Sequence, residues 1–176
     1  MPETPPPQPP SPASRPSGPA AIAAAIAAAC ALVAPLTMQS EGKRNVGYAD
    51  RIASRPIPTI CYGHTGPEVR VGVRVSDSQC AGHLQADLRQ HAAGAVQCAP
   101  RIAERIHVLA AVADFTFNLG VRSFCQSSAA RLFNAGDFAG GCRALGRYIY
   151  AGGQVRAGLV TRRRHDINLC LTGQWR

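Results

Sequence analysis

Apolar side chains are arranged in three regimes along this chain. From Ala20 to Ala34 they run unbroken as AAIAAAIAAACALVA, with no charge between Pro19 and Gln39. Alanine is the strongest helix former but only weakly hydrophobic, so the run predicts a helix of modest apolarity. Between Tyr48 and Val75 the pattern shortens and alternates, most clearly in Val69-Arg70-Val71-Gly72-Val73-Arg74-Val75. That period suits a small antiparallel sheet with one wet face. Beyond it helical spacing takes over. Ser76-Asp77-Ser78-Gln79 is a capping-box pattern opening a helix to about residue 93. Pro100 fits the first turn of a helix over 101–118, where Ile102, Ile106, Leu109, Ala113 and Phe117 recur at helical spacing and Gly120 suits the C-terminal cap. Shorter helices are expected over 127–134 and 138–148, and a last one over 157–171. The fold class is α+β with helix dominant, and no internal repeat is visible.

The first 38 residues divide in two. Residues 1–18 are rich in proline and serine and predict a disordered, polyproline-like leader. Residues 19–38 are long enough to cross a bilayer, which takes about twenty residues, though they are only marginally hydrophobic. A cleavable signal peptide would have this apolar run and its Ala-x-Ala sites, but it also needs a basic leader, which is nearly missing. A lipoprotein signal is suggested by Ala29-Cys30, and a soluble alanine helix is the plainest alternative. The favoured reading is an uncleaved, weakly hydrophobic anchor. Residues 39–176 then form one domain, the unit that a chain of 176 residues has room for.

Composition and charge sharpen this division. The formal charge of +9 belongs to the domain, because Glu3 and Arg15 cancel in the stretch before Met38. Such a body attracts polyanions, a phosphate- and carboxylate-rich bacterial envelope among them. No interleaved aromatic and basic platform accompanies the charge, so nucleic acid is not implied. The seven cysteines, at 30, 61, 80, 98, 125, 142 and 170, form no CxxC pair and no Cys/His spacing suited to zinc. Two or more disulfides in an oxidising compartment are expected, with an odd thiol left over.

The acids are scarce, ten in all. Glu41 and Asp50 stand out because each lies where an element meets a turn. Hydrolysis of a glycosidic bond needs one carboxyl to protonate the leaving oxygen and a second to stabilise or activate the attacking partner. Thr59 is placed to hold a water beside the second. Ser40-Glu41-Gly42, Tyr48-Ala49-Asp50 and Thr59-Ile60-Cys61-Tyr62-Gly63-His64-Thr65-Gly66 resemble the Glu-x8-Asp-x5-Thr site of the phage-type lysozymes of glycoside hydrolase family 24. Asp114-Phe115-Thr116-Phe117-Asn118-Leu119-Gly120, Leu132-Phe133-Asn134-Ala135-Gly136-Asp137 and Gly158-Leu159-Val160-Thr161-Arg162-Arg163-Arg164 are similar to further motifs of that family, in the same order. The interval from Asp50 to Thr59 is three residues longer than the family pattern, so a bulge is expected over 51–58.

This resemblance implies a lysozyme-like fold and cleavage of the β-1,4 bond between N-acetylmuramic acid and N-acetylglucosamine in peptidoglycan. Glu41 would be the general acid, and Asp50 with Thr59 would orient the attacking water with inversion of configuration. No cofactor or metal is implied, and a monomer is expected. His64 is a structural hydrogen-bonding residue or a proton shuttle. Asn118 is a substrate contact or a helix cap. Arg162–Arg164 form a solvated face, or one of them approaches Glu41.

Residues 19–38 also resemble the signal-arrest-release segments of some members, exported uncleaved and holding the enzyme inactive at the inner membrane of the host periplasm until depolarisation. In some relatives a cysteine of the anchor exchanges with a disulfide near the active site, and here Cys30 and Cys61 would fill those parts. An exported peptidoglycan-binding module that lost catalysis is the alternative from another class, and a short membrane-perturbing protein is a third.

Overall fold

The computed structural model describes residues 18–50 and 56–176. The expected leader, up to residue 17, lies outside the described residues, and so does most of the expected bulge, at 51–55.

The apolar N-terminal run forms α1 (Pro19–Glu41), with Pro19 in the first turn and Gly42, at φ 69°, ending it. The sequence suggested a boundary after residue 38, but one unbroken helix of 23 residues carries both the alanine run and Glu41. Pro35 inside it contributes no N–H to the ladder. Ala29, Cys30, Val33, Ala34, Leu36 and Thr37 form its buried stripe, which packs against two later helices, α2 (Asp77–Cys98) and α3 (Ile106–Leu119).

α3 is the hub of the core. Every residue from Val108 to Thr116 is buried, and α1, α2 and the C-terminal α7 (Ala157–Thr172) all pack on it. Between them come α4 (Val121–Cys125), α5 (Ser128–Ala135) and α6 (Phe138–Ala144). Phe115, Phe124, Phe133 and Phe138 form a chain of aromatic contacts through this part, with centroids 6.2, 6.3 and 6.2 Å apart in turn. Gly141 lets α6 approach the Phe133 ring so closely that a Cβ there would overlap it.

The helix starts follow the sequence signals. Ser76 and Gln79 make the reciprocal capping box that opens α2, and Ser127 and Asp137 cap α5 and α6. Residues 100–118 form two pieces rather than one. A 3-10 turn from Pro100 to Glu104 is separated from α3 by Arg105, whose backbone is extended at φ −137°.

The sheet is an antiparallel hairpin of β1 (Arg44–Asp50) and β2 (Ile57–Cys61). Tyr48 pairs with Thr59 and Asp50 with Ile57, so Asp50 and Thr59 lie diagonally on one face. A register irregularity falls between Arg44 and Tyr48. The alternating run 69–75 does not form the expected strand. Gly72, at φ 83°, turns the chain, and only the bridge between Val46 and Arg74 marks a third strand along β1. A two-residue hairpin at Gly152-Gly153 joins β3 (Tyr150–Ala151) to β4 (Gln154–Val155).

Three disulfides link these parts. Cys61–Cys80 joins β2 to α2, Cys98–Cys125 joins α2 to α4, and Cys142–Cys170 joins α6 to α7. Cys30 is the odd thiol, buried in α1.

The close approach at Gly141 sets a packing test. Gly141→Ala should lower stability by about 1–3 kcal/mol through overpacking against Phe133. Gly82→Ala, on an exposed turn of α2 with open space around it, should raise it by about 0.5–1 kcal/mol through helix propensity. Denaturant midpoints followed by circular dichroism compare the two.

Candidate active site

Glu41, the last residue of α1, reaches the N-terminal half of α7, where Arg162 Nη1 donates to its Oε1 at 2.5 Å. Arg162 is itself held from behind. Its Nε and Nη2 donate to Asp114 Oδ2 and Oδ1 at 2.7 and 3.0 Å, a two-pronged pair in which Asp114 is fully buried. The Thr37 hydroxyl, one turn before Glu41 on α1, donates to the same Asp114 Oδ1 at 2.7 Å. Thus α1 enters the network twice, once through Thr37 and once through Glu41. Burial alone would raise the Asp114 pKa, but the Arg162 charge and hydrogen bonds, with help from Thr37, hold it below the ordinary carboxylate range.

A second acid behind the first behaves oppositely. Asp166 is also fully buried, and burial together with the neighbouring Asp114 charge pushes its pKa well above the ordinary value. Two adjacent buried carboxylates disfavour ionisation of both, so Asp166 holds its proton more tightly than Asp114 does. Arg163 lies beside it, Nε 3.1 Å from Asp166 Oδ2, and places its guanidinium over the Phe115 ring at 4.8 Å. Its Nη2 donates to Asn118 Oδ1 at 3.1 Å. Arg162 and Arg163 are therefore buried, and of the three arginines only Arg164 is exposed.

In front of this network lies a cleft of about 620 Å³. Gln39, Ser40 and Glu41 form one wall, and residues from Arg156 to His165 form the other, with Asn118 between. The structure thus brings Glu41, Asn118 and Arg162 together. Asn118 lies in the last turn of α3, where Gly120, at φ 82°, is the capping residue. Asp50 and Thr59 stand on the hairpin that begins three residues after Glu41 and are not among the cleft-lining residues. Thr59 is buried and donates its hydroxyl to Ile57 O at 3.0 Å.

His64 is held away from the cleft. Its Nδ1 lies 2.8 Å from Asp87 Oδ2 and its Nε2 2.7 Å from Glu68 Oε1. Burial would lower its pKa, but the hydrogen bonds to Glu68 and Asp87 outweigh this and raise it. The ring is bracketed by two carboxylates. Cys61, beside Thr59, sits at φ 60° in the left-handed region, a conformation costing a non-glycine residue about 1–3 kcal/mol. Its disulfide to Cys80 anchors that turn on α2. Cys30 lies in the core, and burial pushes its thiol pKa up to about 11.

Thr37, Asp114 and Asp166 had no assigned part in the sequence reading. Asp114 carried a signal: it is the one charged residue from Val108 to Phe117, and an acid in a buried apolar helix face needs a buried partner.

A helical body with a short antiparallel hairpin, and a cleft lined by the Glu41 carboxylate at the end of α1, define a lysozyme-like protein. The family model for phage lysozyme matches residues 38–166, and the chain belongs to that family. It is 36% identical over 140 residues to a SAR-endolysin of Bacteriophage PS119, covering 76% of this chain and 78% of the relative. The active form of the P1 phage endolysin Lyz superposes with a TM-score of 0.70 at 23% identity, over 86% of this chain and 94% of that one, a likeness of fold. The muramidase domain of SpmX from Asticaccaulis excentricus superposes with a TM-score of 0.65 at 25% identity, over 82% and 95%.

The raised pKa of Asp166 has a measurable consequence. Its folded pKa is raised, so the folded chain keeps a proton that the unfolded chain releases above about pH 3.9. That contribution is fully present below the unfolded pKa and is lost as pH rises toward the folded one. Asp166→Asn removes the titration, so its melting temperature relative to the parent should be more favourable at pH 7 than at pH 4. Thermal melts at the two values check the sign.

Proposed function

We propose that this protein is an endolysin that hydrolyses the β-1,4 bond between N-acetylmuramic acid and N-acetylglucosamine of peptidoglycan. The observation that carries the reading is Glu41, fixed at the end of α1 by Arg162 and facing a cleft of about 620 Å³. Glu41 is the general acid. Oε1 accepts from Arg162, so the proton delivered to the glycosidic oxygen is carried on Oε2. Asp50 and Thr59, diagonal neighbours on the hairpin, position and activate the water. For that, Thr59 must release the Ile57 carbonyl or accept from the water while donating to it. The cationic body, at +9, suits the anionic cell wall.

α1 supplies the regulation in this reading. It is 23 residues long and apolar enough to cross a membrane by length and composition. With α1 in the inner membrane, Thr37 and Glu41 are withdrawn from Asp114 and Arg162, and the acid has no cleft to serve. Release into the periplasm docks the Ala29–Thr37 face on α2 and α3 and brings Glu41 to Arg162. In the docked form Cys30 is sealed in the core and Cys61 is bonded to Cys80. Exchange between Cys30 and that disulfide therefore belongs to a stage before docking.

A catalytically silent peptidoglycan-binding module is the second reading. It is favoured by the position of Asp50 and Thr59 outside the cleft-lining residues. A murein zymogram separates the two, because a binder gives no cleared band. For the enzyme, Glu41→Gln should reduce turnover by roughly 10²–10⁴-fold, the usual worth of general acid catalysis, while still co-sedimenting with murein. Asp50→Asn should lower turnover in the same assay. Full activity of Glu41→Gln would end the assignment.

The sealed thiol gives a separate measurement. Cys30 of the oxidised, folded chain should resist iodoacetamide at pH 8 and react within the ordinary time of a free thiol once the chain is unfolded in guanidinium, as mass spectrometry would report.

A further inference from the structure

Away from the cleft, metal-binding side chains converge where the turn after β2 meets α2. His64 closes a tight turn, its backbone N–H and C=O paired with Ile60 at 2.8 and 2.9 Å. The imidazole faces α2, where Asp87 takes Nδ1 at 2.8 Å. His83, one helical turn before Asp87, stacks on the His64 ring with centroids 4.1 Å apart and planes 21° apart. Glu68 folds back so that its carboxylate reaches His64 Nε2 at 2.7 Å. That carboxylate lies against Gly66, where a Cβ would collide with it. One ligand atom each from His64, Glu68 and His83 lies within 4.8 Å of the other two.

We infer that His64, Glu68 and His83 form a binding site for a divalent transition-metal ion, of which zinc fits best. Two imidazoles and one carboxylate are the donor set zinc accepts, with water completing four-coordination. Magnesium and calcium prefer an all-oxygen shell. The contact from Asp87 to Nδ1 is the outer-shell carboxylate that metal-binding histidines commonly have, and it leaves Nε2 to face the ion. Zinc–ligand bonds of about 2.0–2.2 Å place tetrahedral ligand atoms about 3.3 Å apart. Rotation of the Glu68 side chain, 54% exposed, and of half-buried His83 supplies the contraction. On binding, His64 Nε2 gives up its proton to solvent, and its lone pair goes to the metal in place of the hydrogen bond to Glu68.

The site ties the turn at 62–68 to α2 beside the Cys61–Cys80 bridge, behind the strand that carries Thr59. The cluster was not visible as a cysteine-based zinc pattern, because its signature is His-x3-Glu followed fifteen residues later by His-x3-Asp.

The test uses the full oxidised chain, stripped of metal with a chelator and titrated with zinc chloride at pH 7.5 by calorimetry and thermal melting. The expected result is one equivalent bound and a melting temperature raised by about 5 °C or more at saturation, with no rise in magnesium. His83→Asn and Glu68→Gln should each weaken zinc binding at least about tenfold, and their metal-free melts show whether they fold as the parent does. Cys30→Ser should leave the affinity unchanged, separating this site from thiol binding. Absence of saturable zinc binding, or equal affinity in the parent, His83→Asn and Glu68→Gln, overturns the proposal and leaves His64 as an ion-pair bridge between two acids.

Discussion

The buried pair of Asp114 and Arg162 is the constraint on which the site depends. A carboxylate removed from water in the middle of an apolar helix is tolerable only with a cation held against it. Arg162 uses Nε and Nη2 for that purpose and has Nη1 left to direct outward at Glu41. A single guanidinium thus converts an internal electrostatic necessity into a fixed position for the acid at the cleft. Truncating one partner of such a buried pair typically costs about 3–5 kcal/mol, because the other charge is stranded. Beside this pair, burial and the Asp114 charge raise the pKa of Asp166, so the second buried acid gives up its proton less readily than the first.

The same pair explains what α1 contributes beyond apolar burial. Its outer face is largely alanine, and its inner stripe of Ala29, Cys30, Val33, Ala34 and Leu36 is small enough for close packing on α3. Small side chains serve both lipid and protein surroundings, since neither demands large specific knobs. Thr37 and Glu41 break that symmetry. They are satisfied by Asp114 and Arg162 in the docked helix, and nothing in a hydrocarbon core offers an equivalent. The polar end of α1 therefore favours the docked arrangement for a reason separate from the hydrophobic effect.

Legibility in the sequence followed the range of the interactions involved. The helix starts at Ser76 and Ser127 and the end of α3 at Gly120 were readable, because caps are local chemistry. The break at Arg105 and the loss of a strand over 69–75 were not. Alternating valines and arginines predict a strand, yet Gly72 adopts a left-handed conformation, and the backbone at Gly47 packs directly against Arg70. The five-residue α4 and the Gly152-Gly153 hairpin were too short to register as periodic signals. At the cleft, Glu41 was singled out through motif order, and its approach by an arginine of 162–164 was one of two open alternatives. Thr37 and Asp114 were not assigned parts, because their partners lie 77 and 48 residues away in the chain.

The two halves of the site are consequently built by different physics. Glu41 is placed by contacts that span most of the chain, through the packing of α1 on α2 and α3. The hairpin side is placed locally. Its own core is a small cluster of Ile60, Cys61, Val69 and Cys80, too small to fix a loop-rich segment by burial alone. Cross-links make up the difference: the Cys61–Cys80 disulfide, the His64–Asp87 pair at 2.8 Å, and Asp77 shared by Asn45 at 2.6 Å and Lys43 at 2.9 Å. All of them tie the hairpin and its flanking turn to α2 and none involves α1, so the hairpin that carries Asp50 and Thr59 is braced independently of the N-terminal helix. The position of Glu41 depends instead on α1, whose packing on α2 and α3 sets its reach to Arg162.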